Sequence, residues 1–256
     1  MPERAGQDGR ARAKRTATEP RVKARADELH ASGMPLQMAM AVAHGKLSLN
    51  EALEKLARRE SVNRLMERHD ISRALATQIA LGQASLETVL ARRRLAIHRE
   101  VNRVRSVLDE HAAGGQAVTL LLHGHERVTG TVLAVDAYSF RFRPEEGEER
   151  EIHKLQVKVA FPPEAYKRLR KILKFQKDLE RSPHEPISRP QDRYTCSDKR
   201  LFRYMDEKVE VVATLLEGEQ LRGTVNWFSR YEFGMGLKGD AEIAVFRHAL
   251  HDLAEG

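Results

Sequence analysis

The chain has 256 residues, enough for two or three small domains, and carries a formal net charge of +7 at neutral pH. An excess of positive charge favours an acidic partner, and nucleic acid is the most common one. The single cysteine, Cys196, excludes an internal disulfide and a thiolate metal cluster. The chain also contains no run of about 18 apolar residues, the length needed to cross a membrane. We therefore expect a cytoplasmic protein that binds no membrane.

Residues 1–28 are rich in arginine and lysine and contain almost no large apolar residue. Such a segment buries too little surface to offset the conformational entropy lost on ordering. The composition therefore predicts a disordered basic tail. Two roles for it stay open, a solubilising extension and a phosphate contact made by charge alone.

A helical repeat with an offset of 37 positions fills residues 29–112. Six residues of the first unit recur in the second: Ala39, Ala43, Gly45, Ser48, Leu49 and Leu53 return as Ala76, Ala80, Gly82, Ser85, Leu86 and Leu90. Each unit is predicted to be a short helix, a glycine stop, a serine N-cap and a longer helix, the second of which runs from Leu86 to about Glu110. We expect one small bundle used for dimerisation or docking, with a DNA-reading helix-turn-helix as the alternative.

The second long helix has a strongly basic flank. Arg92, Arg93 and Arg94 are consecutive, and further arginines follow at positions 99, 103 and 105. A solvated basic face is the ordinary outcome of such a run, and an RNA contact is the functional one. The RNA-binding candidates on this helix are Arg92, Arg93 and Arg99.

The most informative feature is a duplicated passage, residues 118–159 and 209–253, with an offset of 93 positions. Gly130-Thr131-Val132 recurs as Gly223-Thr224-Val225, Tyr138 as Tyr231, Phe140 as Phe233, Lys154 as Arg247 and Val157 as Leu250. Short alternating runs with a glycine inside a strand predict five strands that bend into a small barrel. The expected fold is α+β, an N-terminal all-α bundle of helical hairpins followed by two small five-stranded barrels in residues 113–163 and 197–256.

Residues 164–196, between the two copies, are predicted to be a basic helix and a linker. The helix should span Tyr166–Arg181 and dock its apolar stripe on its own barrel rather than on a membrane surface. Its cations are further RNA-binding candidates: Lys167, Arg168, Arg170, Lys171 and Lys174.

The second copy, Leu201–Leu253, resembles the Sm-like domain of the bacterial RNA chaperone Hfq. The resemblance lies in LLEGEQLRGTVNWFSRYEF, in the closing VFRHAL and in a short helix at Asp198–Asp206 before the first strand. The first copy resembles the same family more faintly, through GTVLAVDAYSF and IHKLQV, and has Leu155 where the family has a histidine. The resemblance implies Sm-like barrels in an RNA chaperone or post-transcriptional regulator that binds single-stranded, uridine-rich RNA.

The same resemblance implies which residues face the central pore of a six-module ring, and hence a homo-oligomer of three chains. An aromatic ring there would stack on a base, and a cation or histidine would bind phosphate or a base edge. The implied positions are Arg230, Tyr231, Arg247 and His248 in the second copy, and Tyr138 and Lys154 in the first.

Catalysis has little support in the sequence, which contains no G-x-S-x-G passage and no phosphate-cradling glycine loop. The histidine spacings match no zinc pattern. We expect a non-enzyme without a cofactor or metal. The competing hypothesis for the function is an oligomerising scaffold whose helical N-terminal domain binds a protein or DNA. The alternative to the ring is a monomer in which the two barrels pair with each other.

Overall fold

A computed structural model of the protein describes residues 8–181 and 185–256. The chain divides into two compact units, residues 1–91 and 92–256. None of the described helices is long and apolar enough to cross a membrane.

The first unit is helical. Its helices are α1 (Asp8–Ala31), α2 (Leu36–Ala43), α3 (Leu49–His69), α4 (Arg73–Ala80) and the start of α5 (Leu86–Val101). The predicted turns are confirmed, since Gly45 and Gly82 have φ angles of +69° and +71° in the left-handed region. The predicted serine N-cap of α3 is also confirmed and forms a capping box, because the Ser48 hydroxyl accepts from the Glu51 N–H while the Glu51 carboxylate accepts from the Ser48 N–H.

The helices of this unit pack around two core clusters rather than in the single bundle that the sequence predicts. One cluster contains Ala26, Met34, Ala39, Val42 and Ala52, and the other contains Val62, Ile71, Ala76 and Val89. Helix α3 contributes Ala52 to the first and Val62 to the second. These positions are separated by about 15 Å along the helix axis, so each end of α3 has its own core.

Helix α1 occupies most of the segment that the sequence predicts to be a disordered tail. Ala26 is fully buried and Leu29 packs against the first cluster, so the end of the helix is held by apolar contacts. Alanine, arginine and lysine also have high helix propensity. Residues 1–7 of the predicted tail lie outside the described residues.

In the second unit, the predicted helix from Leu86 to Glu110 is wrong. Helix α5 ends at Val101, and a separate helix α6 (Val107–Gly114) begins after Ser106, whose hydroxyl accepts from the Asp109 N–H. The later helix α9 (Asp198–Asp206), which the sequence predicts, begins in the same way after Ser197. Each copy of the duplication therefore includes a leading helix, and the serine N-caps 91 positions apart are the signal for it.

The strands that follow are listed in chain order with the helices between them: β1 (Ala117–Leu122), β2 (Arg127–Val135), β3 (Ser139–Pro144), β4 (Arg150–His153), β5 (Val157–Phe161), α7 (Tyr166–Ile172), β6 (Lys174–Phe175), α8 (Lys177–Arg181), α9, β7 (Glu210–Leu215), β8 (Glu219–Phe228), β9 (Glu232–Leu237), β10 (Ala241–Phe246) and β11 (Leu250–Glu255). Short 3-10 turns at Lys154–Gln156 and Arg247–Ala249 precede the last strand of each copy.

The prediction of two small barrels is wrong, because the strands form one open antiparallel sheet. Their order in the sheet is β11-β7-β8-β9-β10-β5-β1-β2-β3-β4, with β6 on the edge of β8. Within each copy the last strand pairs with the first and the remaining strands follow in sequence. The fourth strand of the second copy, β10, then pairs with the fifth strand of the first copy, β5.

This junction explains why neither copy closes on itself. Ala244 lies opposite Ala160 and Val245 opposite Val159, and all four residues are buried. Pairing β10 with β5 satisfies the backbone groups of two edges and removes this apolar surface from water. A copy that closed on itself would need β10 to pair with β11, or β4 with β5, and the junction already occupies one strand of each pair.

The glycines inside β2 and β8 allow neighbouring strands to approach closely. A Cβ atom at Gly130 would overlap the carbonyl oxygen of Arg143, and one at Gly223 would overlap that of Gly236. Only glycine fits at either position without displacing the neighbouring strand.

The predicted helix Tyr166–Arg181 is also wrong, since it is divided into α7 and α8 by the short strand β6. Strand β8 extends beyond its partner β9, and its free edge at Glu219 and Gln220 pairs with β6. Leu173 adopts an extended conformation, with ψ of 122°, to allow this pairing.

A buried ion cluster spans the junction of the two copies. The Lys158 ammonium of β5 is fully buried and pairs with the carboxylates of Glu217 and Glu219. The N–H groups of Gly124 and His125 also donate to Glu217. Burial alone would raise the pKa of Glu217, but these donors outweigh it and lower the pKa to about 2.

We predict that Lys158→Met lowers the free energy of unfolding of the second unit by about 3–5 kcal/mol, because two buried carboxylates lose their counter-ion. The measurement is urea unfolding followed by the fluorescence of Trp227, the only tryptophan. The exposed Lys167→Met is the control and should change stability by less than about 0.5 kcal/mol.

Combining Lys158→Met with Glu217→Gln and Glu219→Gln should recover at least half of the loss, since the unpaired charges are removed. Equal stability of the Lys158→Met and Lys167→Met proteins would show that the cluster does not stabilise the junction.

Candidate nucleic-acid interface

A cleft of about 770 Å³ lies in the second unit beside the turn that connects β8 to β9. We call it the tyrosine cleft. Three parts of the chain line it: the end of α5 and the residues after it, the β8–β9 turn, and the start of α9 with the 3-10 turn after β10. The lining residues are Arg99, Asn102, Arg103, Val104, Asp198, Phe228, Ser229, Arg230, Tyr231 and Arg247.

His98 fastens α5 to the sheet at this point. Its ring lies 4.2 Å from that of Phe228 between centroids, and its Nε2 lies 3.1 Å from the Phe228 carbonyl oxygen. Burial lowers the pKa of His98, so the neutral ring is favoured in this position. Because His98 faces the sheet, Arg99 and Arg103 border the cleft.

Tyr231 is the exposed aromatic residue of the cleft, with 62% of its surface accessible. Its carbonyl oxygen accepts a 2.8 Å hydrogen bond from the Arg247 N–H, which fixes the backbone, and the Arg230 guanidinium lies 5.2 Å from its ring. A large aromatic side chain that a tight turn holds in water loses the free energy of burial, and most of the Tyr231 surface is accessible to a stacking partner.

The charges of the cleft are unequal, with four arginines and one carboxylate. Asp198 accepts from Arg99 at 2.8 Å and from Arg247 at 3.0 Å, and Arg247 also donates to the carbonyl oxygens of Ser229 and Cys196. Within the described residues, no carboxylate pairs with Arg103 or Arg230. These two guanidinium groups are therefore the ones available to an incoming anion.

The structure thus brings together three of the predicted pore-side residues, Arg230, Tyr231 and Arg247, and adds Arg99 from the predicted basic helix. Arg247 is mainly a structural residue here, since its side chain is 19% exposed and makes several internal bonds. Asn102, Arg103 and Asp198 were missed as site residues. Arg103 lies beyond the end of α5, so no helical spacing in the sequence places it beside Arg99.

His248 lies apart from these residues. It is buried at the junction, where its Nε2 donates to the Val157 carbonyl oxygen at 2.9 Å, and burial lowers its pKa to about 4. A neutral, internally bonded histidine contributes to the β5–β10 junction rather than to the surface. Leu155 stands at the equivalent position of the first copy.

The first copy repeats the geometry around Tyr138, which is 77% exposed. Its carbonyl oxygen accepts from the Lys154 N–H at 2.8 Å, as Tyr231 does from Arg247. Ala137 replaces Arg230, so one cation is missing beside this ring. The duplication therefore presents two tyrosines in the same backbone setting with different charge around them.

The other predicted RNA-binding cations lie on the surface of the second unit. Arg92 and Arg93 are exposed on α5, and Lys167, Arg168 and Arg170 are exposed on α7. Lys171 and Lys174 line a second cleft, which is separate from the tyrosine cleft in its lining residues.

One group of side chains has the composition of a metal site: His125, Glu217 and Glu219, whose ligand atoms lie within 4.8 Å of one another. Both carboxylates are already paired with the Lys158 ammonium. A cation would have to displace this lysine into an apolar interior, so the group is better described as an ion cluster.

No protein-family model matches the chain, and no characterised protein matches it in sequence.

Glu232, the neighbour of Tyr231, holds the segment that carries Arg103. Its carboxylate accepts from the Val107 N–H at 2.8 Å, at the start of α6. Burial raises the pKa of Glu232 to about 7, although the Val107 bond acts in the opposite direction. The folded state therefore favours the protonated acid more than the unfolded state does.

We predict that Glu232→Gln increases stability above pH 7 relative to the natural chain, because the amide still accepts from Val107 and carries no charge. A folded-state pKa of about 7 against 4.5 unfolded makes the natural chain lose stability as the pH rises through this range. The loss is at most about 3 kcal/mol.

The measurement is the difference in unfolding free energy between the two proteins from pH 5 to pH 8. The difference isolates Glu232, since His248, with its lowered pKa, contributes stability that is lost as the pH falls and does so equally in both proteins. A difference that is constant with pH would contradict the assignment.

Proposed function

We propose that the chain binds single-stranded RNA, with a base stacked on Tyr231 and the neighbouring phosphates bound by Arg103 and Arg230. The observation that carries the proposal is the exposed tyrosine ring in a cleft with four arginines. Stacking on an aromatic side chain contributes about 1–3 kcal/mol per base. Guanidinium groups bind phosphate through charge-assisted hydrogen bonds.

The arrangement favours an unpaired strand over a duplex. The face of a base is accessible to a side chain only where the base is unstacked, as in single-stranded loops and ends. Stacking tolerates every base, so a preference for uridine would come from contacts beyond the ring. That preference, like a biological role in RNA chaperoning or post-transcriptional regulation in the cytoplasm, rests on the resemblance to the bacterial Sm-like family.

The arginines of the cleft have different roles in this proposal. Arg99 and Arg247 are held by Asp198, so they add positive potential and keep the walls in place. Arg103 and Arg230 reach the phosphates. Tyr138 of the first copy forms a weaker second stacking site with Lys154, because Ala137 supplies no charge there.

Tyr231→Ala should weaken the binding of a fluorescein-labelled 12-nucleotide oligouridylate by about 5- to 150-fold, since one stacking contact is lost. Tyr231→Phe keeps the ring and should bind within about twofold of the natural chain. Tyr138→Ala, the equivalent change in the first copy, should have a smaller effect than Tyr231→Ala. Fluorescence anisotropy at 100 mM salt measures the affinity of all three variants for the labelled RNA.

Oligoadenylate and a duplex of the same length serve as comparisons in that experiment. Equal binding of all three nucleic acids that disappears with salt, unaffected by Tyr231→Ala, would leave only general attraction to a basic surface. That result would favour the scaffold function, with the helical first unit as the binding domain.

We also propose that chains associate head to tail through the outer edges of their sheets. The internal junction pairs a fourth strand with a fifth strand, and the two outermost strands of the sheet are a fourth strand, β4, and a fifth strand, β11. The Leu253 carbonyl oxygen of β11 already accepts from Arg200 and Tyr194, so the contact uses the remaining backbone groups of this edge. Such a heterologous contact can close into a ring, and three chains would give six copies. Leu155 stands where His248 bonds across the internal junction, so the contact between chains is weaker than the internal one.

Native mass spectrometry over a concentration series should therefore show a species of three times the 29.1 kDa chain mass that dissociates on dilution. Glu151→Pro in the edge strand β4 should reduce it by removing a backbone donor. Glu146→Pro, which places a proline in the exposed turn before β4, is the matched control. A monomer at every concentration would contradict the association.

A further inference from the structure

A second cleft, of about 690 Å³, lies in the second unit where β6 crosses the edge of the sheet. We call it the lysine cleft. Its cations come from four separate parts of the chain, and its floor is formed by β7, β8 and β9. The charged residues that line it are Lys171, Lys174, Lys208, Lys238, Arg222 and Glu210.

The break between α7 and α8 creates this cleft. Lys171 lies at the end of α7, and Lys174 lies in β6, where it pairs with Gln220 of β8. A continuous helix would have carried these two lysines away from the sheet edge. Lys238, in the turn that follows β9, also lines the cleft.

The charge of the lysine cleft is unbalanced. Glu210 is paired with Arg222 at 2.7 Å, which neutralises both. The remaining four cations are lysines, all exposed, and no carboxylate among the described residues forms an ion pair with them. Like charges around one concave surface repel each other, and a polyanion relieves that repulsion.

Lys208 occupies a backbone position where lysine is unusual. It follows the C-cap of α9 with a φ angle of +52°, in the left-handed region that glycine or asparagine normally fills at the end of a helix. A lysine here strains the backbone and places one more charge at the cleft. The backbone geometry alone would favour glycine.

We infer that the lysine cleft binds the phosphodiester backbone of the same RNA strand, without reading its bases. The nature of this ligand rests on the proposed function. Ammonium groups act as point charges on phosphate and lack the planar fork that recognises a base edge. The tyrosine cleft would then select unpaired bases, while the lysine cleft adds affinity that depends on strand length and on salt.

The test compares the variant Lys174→Gln/Lys208→Gly/Lys238→Gln with a control that loses the same charge elsewhere, Lys46→Gln/Lys55→Gln/Lys199→Gln. The control residues are all exposed and lie outside both clefts. Glycine at position 208 relaxes the left-handed backbone, so that change is not expected to impair folding. The probes are a labelled 24-nucleotide oligouridylate and inorganic polyphosphate, which has no bases.

For the oligouridylate we expect the cleft variant to bind about tenfold more weakly than the control at 100 mM salt. The slope of log affinity against log salt should fall by about 2, as expected for three lost phosphate contacts on a single strand. Polyphosphate binding should fall in the same variant and be unaffected by Tyr231→Ala.

The outcomes separate this inference from the proposed function. Polyphosphate binding that depends on the three lysines, without oligouridylate binding, would support a phosphate site and reject RNA binding through Tyr231. Oligouridylate binding that depends on Tyr231, with the cleft variant equal to the control for both probes, would overturn the lysine cleft and leave the proposed function standing.

Discussion

The antiparallel pairing of β5 with β10 is the contact on which the second unit depends. It joins the last strand of one copy to the fourth strand of the other through a short run of buried alanine and valine pairs. Around it lie the Lys158 ion cluster and the hydrogen bond from His248 to Val157. Polar groups buried on both sides of the junction are costly unless they meet their partners, so they specify one register for the two copies.

The duplication supplies one strand plan, and the added helices make the two copies different. Helix α6 packs Leu108 into the core of the first copy, and α9 covers β8 of the second. Helix α5 then docks on Phe228 through His98 and places arginines beside Tyr231. The same exposed tyrosine thus lies in a basic cleft in one copy and in a less charged setting in the other.

Much of the local structure could be predicted from the sequence because its causes are local. Glycine at a left-handed turn, a serine cap with a glutamate three residues later, and alternating apolar runs each act within a few residues. The errors concern partners distant in the chain. The split of the Tyr166–Arg181 helix depends on a free edge of β8, and the burial of His248 depends on β5. A local sequence pattern predicts neither of these partners. It does not predict the open sheet either, because the pairing of β5 with β10 joins strands that are distant in the chain.

The site was predicted in part for the same reason. Tyr231 and Arg230 lie in a turn between two predicted strands, so the sequence predicts that they are exposed. Arg103, in contrast, reaches the cleft only because α5 ends at Val101 and packs on a distant strand. The tyrosine cleft forms where a local motif meets a long-range contact. The lysine cleft is a second instance, since β6 holds Lys171 and Lys174 at the edge of β8.

The most direct measurement is photo-crosslinking of the full chain to an oligouridylate that carries one 5-iodouridine, with the adduct located by peptide mass spectrometry. RNA binding through the tyrosine cleft predicts an adduct on Tyr231 that is competed by unlabelled oligouridylate. Adducts confined to residues 1–28, with none on Tyr231, would contradict it and assign the interaction to the basic N-terminal segment.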